Sequence, residues 1–418
     1  MLILARTTMK IVILCIALAL PTIHAIDRHR RQVVSNGNET RLRKGTVIPY
    51  YIVGYEKLRN HSLGRELINN VQNAFKTLER LTCLSFVDKS QEIFPRKLLI
   101  FYAQRFILIE YSKKPVHCSA TLGRRRRDHT VITVSEKCYK DQLTIIHEIL
   151  HVLGIIHIQM RKDRDHYIYV NEGALTEDTK SSFEIVPDAK TFGVPYNPGS
   201  VMHYVPKPLM RKSDVFIGSI QSVTKNSFSN NRLTFTDIKL INLAYQCHAK
   251  CSQEDIERCS NHHGIPDSRN CATCHCPDAF QGPTCTDRAE LKVNNQVCGA
   301  TLQATEDWTT LSKSFDTSGA CAWHIKSPMG TLLEIEVKNI QTTPTNTKHS
   351  KKCTTCEHFC MNGYLEIQNN ADIQIAGLRF CCNKDITESI ITDKNILPII
   401  ASFSKPFGFE LQYRYIID

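Results

Sequence analysis

His147-Glu148-Ile149-Leu150-His151-Val152-Leu153-Gly154-Ile155-Ile156-His157 is the stretch whose reading decides the rest of this chain. Two histidines four apart on a helix share one face, so His147 and His151 can grip a single metal ion. Gly154, three residues past His151, suits the left-handed backbone that ends a helix. The chain can then swing His157 back as a third nitrogen ligand and leave a coordination position open to water. Glu148, beside the first histidine, stands where a carboxylate can take a proton from that water. A helix that merely happens to carry histidines would not need this spacing of base, glycine and third histidine. The pattern reads as a zinc site with one ion per chain.

Working outward, 418 residues exceed one ordinary core and call for two or three domains. A hydrophobic content of 42% with 22% charged residues is that of globular protein, not of disordered chain. The net charge of +11 is spread along the chain except at Arg124 to Arg127, and no nucleic-acid motif accompanies it. At the N-terminus Arg6 and Lys10 precede the apolar run Ile11 to Leu20, followed by Pro21 and Ala25. That run is too short to span a bilayer and reads as a secretory signal over 1–25, and no later run suggests a membrane anchor. Of 18 cysteines, 17 remain beyond Cys15, which in a secreted chain means disulfides and one odd thiol. Asn38-Glu39-Thr40 and Asn60-His61-Ser62 are glycosylation sequons. Residues 26–45 read as a short pro-segment or N-terminal extension. Arg28 to Arg31 and Arg41 to Lys44 each offer either a processing cut or a soluble linker.

Thr46 to Val53 reads as a first strand, with Pro49 near its start or edge. Leu63 to Leu81 carries Leu67, Ile68, Val71, Ala74, Phe75, Leu78 and Leu81 at helical spacing, one buried stripe. Leu84 to Val87, Leu98 to Tyr102 and Val131 to Val134 read as strands, and about Leu143 to Leu153 as the helix bearing the histidine pair. Strands ahead of that helix predict a mixed α+β lobe. Pro195 to Tyr204 must turn, and Leu233 to Tyr245 reads as a closing helix capped by Thr234 or Thr236. Then the composition shifts. Cys251, Cys259, Cys271, Cys274, Cys276 and Cys285 crowd a segment too poor in aliphatics to build a core, so disulfides must staple it. Strands at Thr331 to Val337, Gly363 to Ile367, Ile399 to Phe403 and Phe409 to Ile417 point to an all-β sandwich.

The histidine motif with a later methionine turn is the metzincin signature. Within that group Arg161-Lys162-Asp163-Arg164-Asp165 and Ser200-Val201-Met202-His203-Tyr204 resemble the astacins. The resemblance implies a two-lobed α+β peptidase domain over 46–247, with His147, His151 and His157 as zinc ligands and Glu148 as general base and acid. It makes Met202 the hydrophobic floor beneath the metal, a role close to that of a plain core methionine. It makes Tyr204 a further ligand that leaves during turnover to support the oxyanion, where an aromatic merely filling a turn is the alternative. His203 reads as structural. The implied reaction is peptide-bond hydrolysis without a covalent intermediate. By the same resemblance Cys83 pairs with Cys247 and Cys118 with Cys138.

Cys274-His275-Cys276-Pro277 with Phe280, Gly282 and Cys285 resembles an EGF-like module over 248–286, with Cys276–Cys285 its safest bridge. Cys298-Gly299, Cys321-Ala322-Trp323, Gly363-Tyr364-Leu365-Glu366-Ile367 and Arg379-Phe380-Cys381-Cys382 resemble a CUB domain over 298–418, of the nematode astacin kind. Cys298–Cys321 would be its first bridge, and Gly363 stands where a calcium aspartate often does, so no calcium is expected. The odd thiol falls among Cys353, Cys356, Cys360, Cys381 and Cys382. Two departures from the astacin pattern bear on control. Ile158 replaces the glutamate that meets the mature N-terminus, and no Phe-x-Gly-Asp motif precedes residue 46, where Asp27 is the only aspartate. Zymogen control is therefore expected to be weak, different or absent.

The reading is a secreted, extracellular zinc endopeptidase acting on protein or peptide substrates of matrix or cuticle type, with no nucleic-acid partner. Its alternative is a catalytically weak or inactive astacin-like scaffold, an extracellular binding or adhesion protein acting through its EGF-like and CUB modules. In astacins the region of Arg124 to Arg127 runs along the cleft. Four arginines there could favour acidic substrates, and equally form a soluble loop or a processing site. A substrate-facing role would enrich acidic residues beside the cut in a peptide-library digest, and a digest without that enrichment would remove it.

Overall fold

The computed structural model describes residues 47–92, 106–114, 116–123, 130–175, 177–205, 217–219, 225–228, 232–342, 360, 362–386 and 388–417. The signal and pro-segment readings, Asn38, the strand expected at Leu98 to Tyr102, Arg124 to Arg127, Cys353 and Cys356 lie outside these residues. Asn60 lies within them, exposed just ahead of a helix.

The N-terminal lobe is a five-stranded sheet of β1 (Val47–Ile52), β2 (Ser85–Asp88), β3 (Ile107–Ser112), β4 (Ser119–Ala120) and β5 (Thr130–Ser135). Their spatial order is β2-β1-β3-β5-β4. β1 pairs in parallel with β2 and β3, and β3 with β5, while the short edge strand β4 runs antiparallel to β5. Sequence periodicity did not mark β3. Its Ile107, Leu108 and Ile109 are all buried, the signature of a central parallel strand covered on both faces, where alternation vanishes.

Helix Ser62–Leu81 buries the stripe Leu67, Ile68, Val71, Ala74, Phe75 and Leu78, and Phe75 stacks on Tyr50 of β1 at 4.2 Å. Beside it runs helix Gln142–Val152, capped by Asp141, whose carboxylate accepts from the Leu143 N–H at 3.0 Å. Ile145, Ile146, Ile149 and Leu150 sink this helix into the lobe core. The closing helix Phe235–Ala244 returns to that core, and the Tyr245 hydroxyl donates to the Leu153 carbonyl at 2.9 Å. A Cys83–Cys247 disulfide ties this end of the lobe to the long helix, and a Cys118–Cys138 disulfide closes the β4 loop.

A small unit follows, held by disulfides Cys251–Cys271, Cys259–Cys274 and Cys276–Cys285. Arg269 joins it to the first lobe by donating to the carbonyls of Glu79 and Leu84 at 2.7 and 2.9 Å. The C-terminal part is a sandwich of a seven-stranded and a four-stranded sheet around Trp323, Leu333, Ile335, Leu365, Ile399 and Leu411. Strands Thr309–Phe315 and Gly319–Lys326, not marked by the sequence reading, complete it. Cys298–Cys321 and Cys360–Cys381 are bridged, and Cys382 is also disulfide-bonded. Cys360, Cys381 and Cys382 are therefore removed from the candidates for the odd thiol.

The three parts meet at buried charge. Glu366, in strand Gly363–Ile367, is fully buried against Arg379 at 2.8 Å and against Arg232 of the first lobe at 3.2 Å. Arg232 also holds Asp278 of the small unit at 2.9 Å. Burial alone would push the Glu366 carboxyl up. The two guanidiniums, helped by the Gly377 N–H, outweigh it and hold Glu366 at about 2. An unfolded glutamate titrates near 4.3, so this group stabilises the fold above that pH and the contribution is lost as pH falls toward 2. Glu366→Gln should lower stability at neutral pH by about 3 kcal/mol and flatten the acid limb between pH ~4.3 and ~2. Urea midpoints across that range check both.

Candidate metal centre

Helix Gln142–Val152 presents His147 and His151 on one face, with rings 4.6 Å apart and edge to face. Helical bonding stops at Leu153. Gly154 takes φ +90, and its N–H and that of Gly123 both bond the His151 carbonyl, at 2.9 and 2.8 Å. A side chain at Gly154 would strain this left-handed corner, which turns Ile155 to His157 back over the helix. His157 thereby faces both earlier histidines, Nε2 to Nε2 at 3.1 Å from His151 and 3.2 Å from His147. The three form the one cluster of metal-ligating side chains found among the described residues.

Two of the rings have their tautomers set by the backbone. His147 Nδ1 donates to the Val201 carbonyl and His151 Nδ1 to the Ile155 carbonyl, each at 2.8 Å. Both Nε2 atoms are therefore left as acceptors facing His157, which has at most one proton to offer there. Burial lowers the affinity of all three rings for a second proton, with His151 brought down to about 3. Neutral imidazole is the metal-binding form. Lone pairs converging at this separation repel unless a cation lies among them, and tetrahedral zinc ligands at ~2.0–2.1 Å would sit about 3.3 Å apart. The donor set fits zinc. Glu148, between the first two histidines in sequence, is 5% exposed, and burial pushes its carboxyl up to about 7. That is the range in which a carboxylate both takes and returns protons near neutral pH.

Below the cluster runs the Pro195 to Tyr204 turn. Met202 is fully buried, and its carbonyl accepts from the Ile158 N–H at 3.0 Å. Ile158 itself lies in the lobe core, so the position after His157 offers an apolar contact and no carboxylate. The Tyr204 ring packs 4.4 Å from that of His157, and its hydroxyl reaches Ser182 Oγ at 3.5 Å. His203 is fully buried and bonds the Tyr196 hydroxyl and the Tyr204 carbonyl, both at 2.6 Å, apart from the cluster. The arginines after His157 are structural. Arg161 grips the Asp163 carboxylate with two nitrogens and the Val194 carbonyl with a third, while Arg164 donates to the carbonyls of Gln159 and Phe183.

Sequence reasoning missed the residues that hold these groups in place. Gln159, fully buried, accepts from the Tyr204 N–H at 3.1 Å and donates to the Ser182 carbonyl at 3.3 Å. Asp237 accepts from the Val201 N–H at 3.1 Å, from the Thr234 N–H at 2.9 Å and from the Ser200 hydroxyl. Burial pushes its carboxyl up against these bonds. Thr234 and Asp237 form a capping box, a pattern of Thr and Asp three apart that was readable before the apolar run of the closing helix. Nothing in the sequence signalled that the same carboxylate would hold the methionine turn.

The residues from 38 to 246 match the model of the astacin peptidase family. The zinc metalloproteinase dpy-31 of Brugia malayi is 27% identical over 82% of this chain and 55% of its own length. The zinc metalloproteinase nas-29 of Caenorhabditis elegans is 30% identical over 71% of this chain and 54% of its own length. Among solved structures, high choriolytic enzyme 1 of the medaka Oryzias latipes covers 51% of this chain and 98% of its own, at 24% identity and a TM-score of 0.41. The chain belongs to the astacin family of zinc metalloproteinases. It spans about half the length of the curated relatives it matches.

Asp237→Ala would strand the Ser200 hydroxyl and the Val201 and Thr234 amides in a buried site. It should cost about 3–5 kcal/mol, read as a fall in denaturation midpoint.

Proposed function

We propose that this chain is a secreted zinc endopeptidase that cuts extracellular protein or peptide substrates, with its peptidase domain over 46–247. The observation that carries the reading is the convergence of three neutral imidazole Nε2 atoms, with the carboxyl of Glu148 buried on the same helix one residue after His147. His147, His151 and His157 would hold one zinc ion. A zinc ion there supplies Lewis acidity, acidifying water toward neutral pH and polarising a peptide carbonyl. Glu148 takes the proton of the attacking water on its carboxylate and returns it to the leaving amine. The Tyr204 hydroxyl, which here meets Ser182, donates to the oxygen that gains charge as the carbonyl is attacked. Met202, fully buried in the same turn, would form the apolar floor of the site.

The three bridges among Cys251 to Cys285 support reading 248–286 as an EGF-like module, and the two-sheet sandwich supports a CUB domain over 298–418. The disulfides favour an oxidising, extracellular setting. Among the described residues no helix is long and apolar enough to cross a membrane. Matrix or cuticle proteins are the substrate class proposed. Asn60, exposed at the start of a helix, is accessible to glycosylation.

Full-length protein should carry one zinc by elemental analysis and cleave casein or gelatin. Glu148→Gln should keep the zinc and lose about 10²–10⁴-fold in rate, the contribution of a positioned acid–base. Zinc bound with no cleavage by the unmodified protein would favour a binding scaffold instead.

A further inference from the structure

The turn that orients His147 is itself pressed against the C-terminal sandwich. The Ala376 N–H, on the sandwich, donates to Asn197 Oδ1 at 3.1 Å, an atom that also takes the Gly199 N–H at 3.0 Å. Asn197 Nδ2 donates in turn to Thr236 Oγ1 at 2.8 Å, fastening the same residue to the closing helix. Around this point Ser227 Oγ donates to the Gly377 carbonyl at 2.8 Å and Lys239 Nζ to Gln374 Oε1 at 2.7 Å. The Arg232–Glu366 pair lies on the same junction. Asn197 and Ala376 are each 2% exposed.

The contact is close enough to specify residue size. A Cβ placed on Gly199 would stand 2.6 Å from the Ala376 Cβ, nearer than packed atoms come, and a tight 3.1 Å from Arg379 Nη2. Gly199 does not have a left-handed φ, so the glycine is demanded by the sandwich and not by its own backbone. Two residues on, the Val201 N–H is held by Asp237 and the Val201 carbonyl receives the proton of His147 Nδ1. A covalent and hydrogen-bonded path of a few residues therefore joins the sandwich loop to a histidine of the cluster.

We propose that the C-terminal sandwich is a positioning element of the metal centre, in which Ala376 seated on Gly199 braces the Asn197–Ser200 turn and, through the Val201 carbonyl, sets the orientation of His147. A merely adhesive contact would hold the units together without touching metal binding. Groups that orient metal-ligating histidines through hydrogen bonds change metal affinity by about 10–100-fold when lost. The proposal rests on the metal reading of the histidine cluster.

The test uses the full chain and four variants: Gly199→Ala, Ala376→Val, Ala376→Gly and the double variant Gly199→Ala/Ala376→Gly. Zinc affinity is read by chelator competition, coordination by the visible spectrum of the cobalt-substituted protein, and folding by circular dichroism. Gly199→Ala and Ala376→Val, wedges from opposite sides, should each weaken zinc about tenfold and alter the cobalt bands with secondary structure intact. Ala376→Gly alone, which removes the seated methyl, should weaken zinc by less than either wedge, and the double variant, which puts the methyl back on the Gly199 side, should recover both readouts. Should Gly199→Ala fail to fold, Ala376→Val and the double variant still decide the matter. Unchanged affinity and spectrum in the wedge variants would overturn the brace. So would a defect in Gly199→Ala that Ala376→Gly does not relieve, since the contact between Ala376 and Gly199 would then not be its cause. Failure of the unmodified chain to take up zinc would overturn the metal reading and the brace together, an outcome distinct from uptake that ignores the wedge.

Discussion

Three uncharged imidazoles are made to bring their Nε2 atoms to one point. That arrangement gains the rings little by itself, since at most one of the three atoms carries a proton to share. It persists because each ring is held elsewhere. His147 is fastened to the Val201 carbonyl and His151 to the Ile155 carbonyl, while Gly154 in a left-handed corner delivers His157. The energy that keeps the rings converged comes from helix packing, from the core around Ile149 and Leu150, and from the turn at Met202. The fold is in this sense a holder for three convergent imidazoles, with the Glu148 carboxyl buried on the same helix.

The holder is wired with buried polar groups, and each is a liability if its partner moves. Asp237 lies buried among hydroxyl and amide donors, and Arg161 and Arg164 commit their guanidiniums to backbone carbonyls and neighbouring carboxylates. Gln159 bridges Tyr204 to the Ser182 segment. Such networks are costly when half satisfied and rigid when complete, which suits a site that must hold its ligands within narrow limits. Ile158 shows the opposite choice. The residue after the third histidine is placed in the apolar core, so whatever secures the N-terminal segment of this chain does so without a carboxylate at that position.

The same wiring extends beyond the first lobe. Arg232, Asp278, Glu366 and Arg379 bring one charge from the first lobe, one from the small disulfide-bonded unit and two from the sandwich into a single buried cluster. The junction packs the three units against one another beside the closing helix, and it puts the sandwich within a few residues of a histidine of the cluster.

Much of this was legible in the residues by themselves. The histidine spacing, the base beside it, the glycine corner, the methionine turn, the apolar stripe of the long helix and the all-β character of the C-terminal part are local patterns, and local patterns survive in a linear sequence. Strand β3 was not legible because a central parallel strand buries both faces and loses its alternation. The second tie of Asp237, the role of Gln159 and the contact of Gly199 with Ala376 were invisible for a different reason. Each joins residues far apart in the chain, and a polar side chain in sequence does not say which distant donor will reach it. The sequence by itself determined which groups can hold a metal and move a proton. Only the tertiary structure decided how those groups are oriented, because orientation is set by the backbone atoms and neighbouring lobes that folding brings against them.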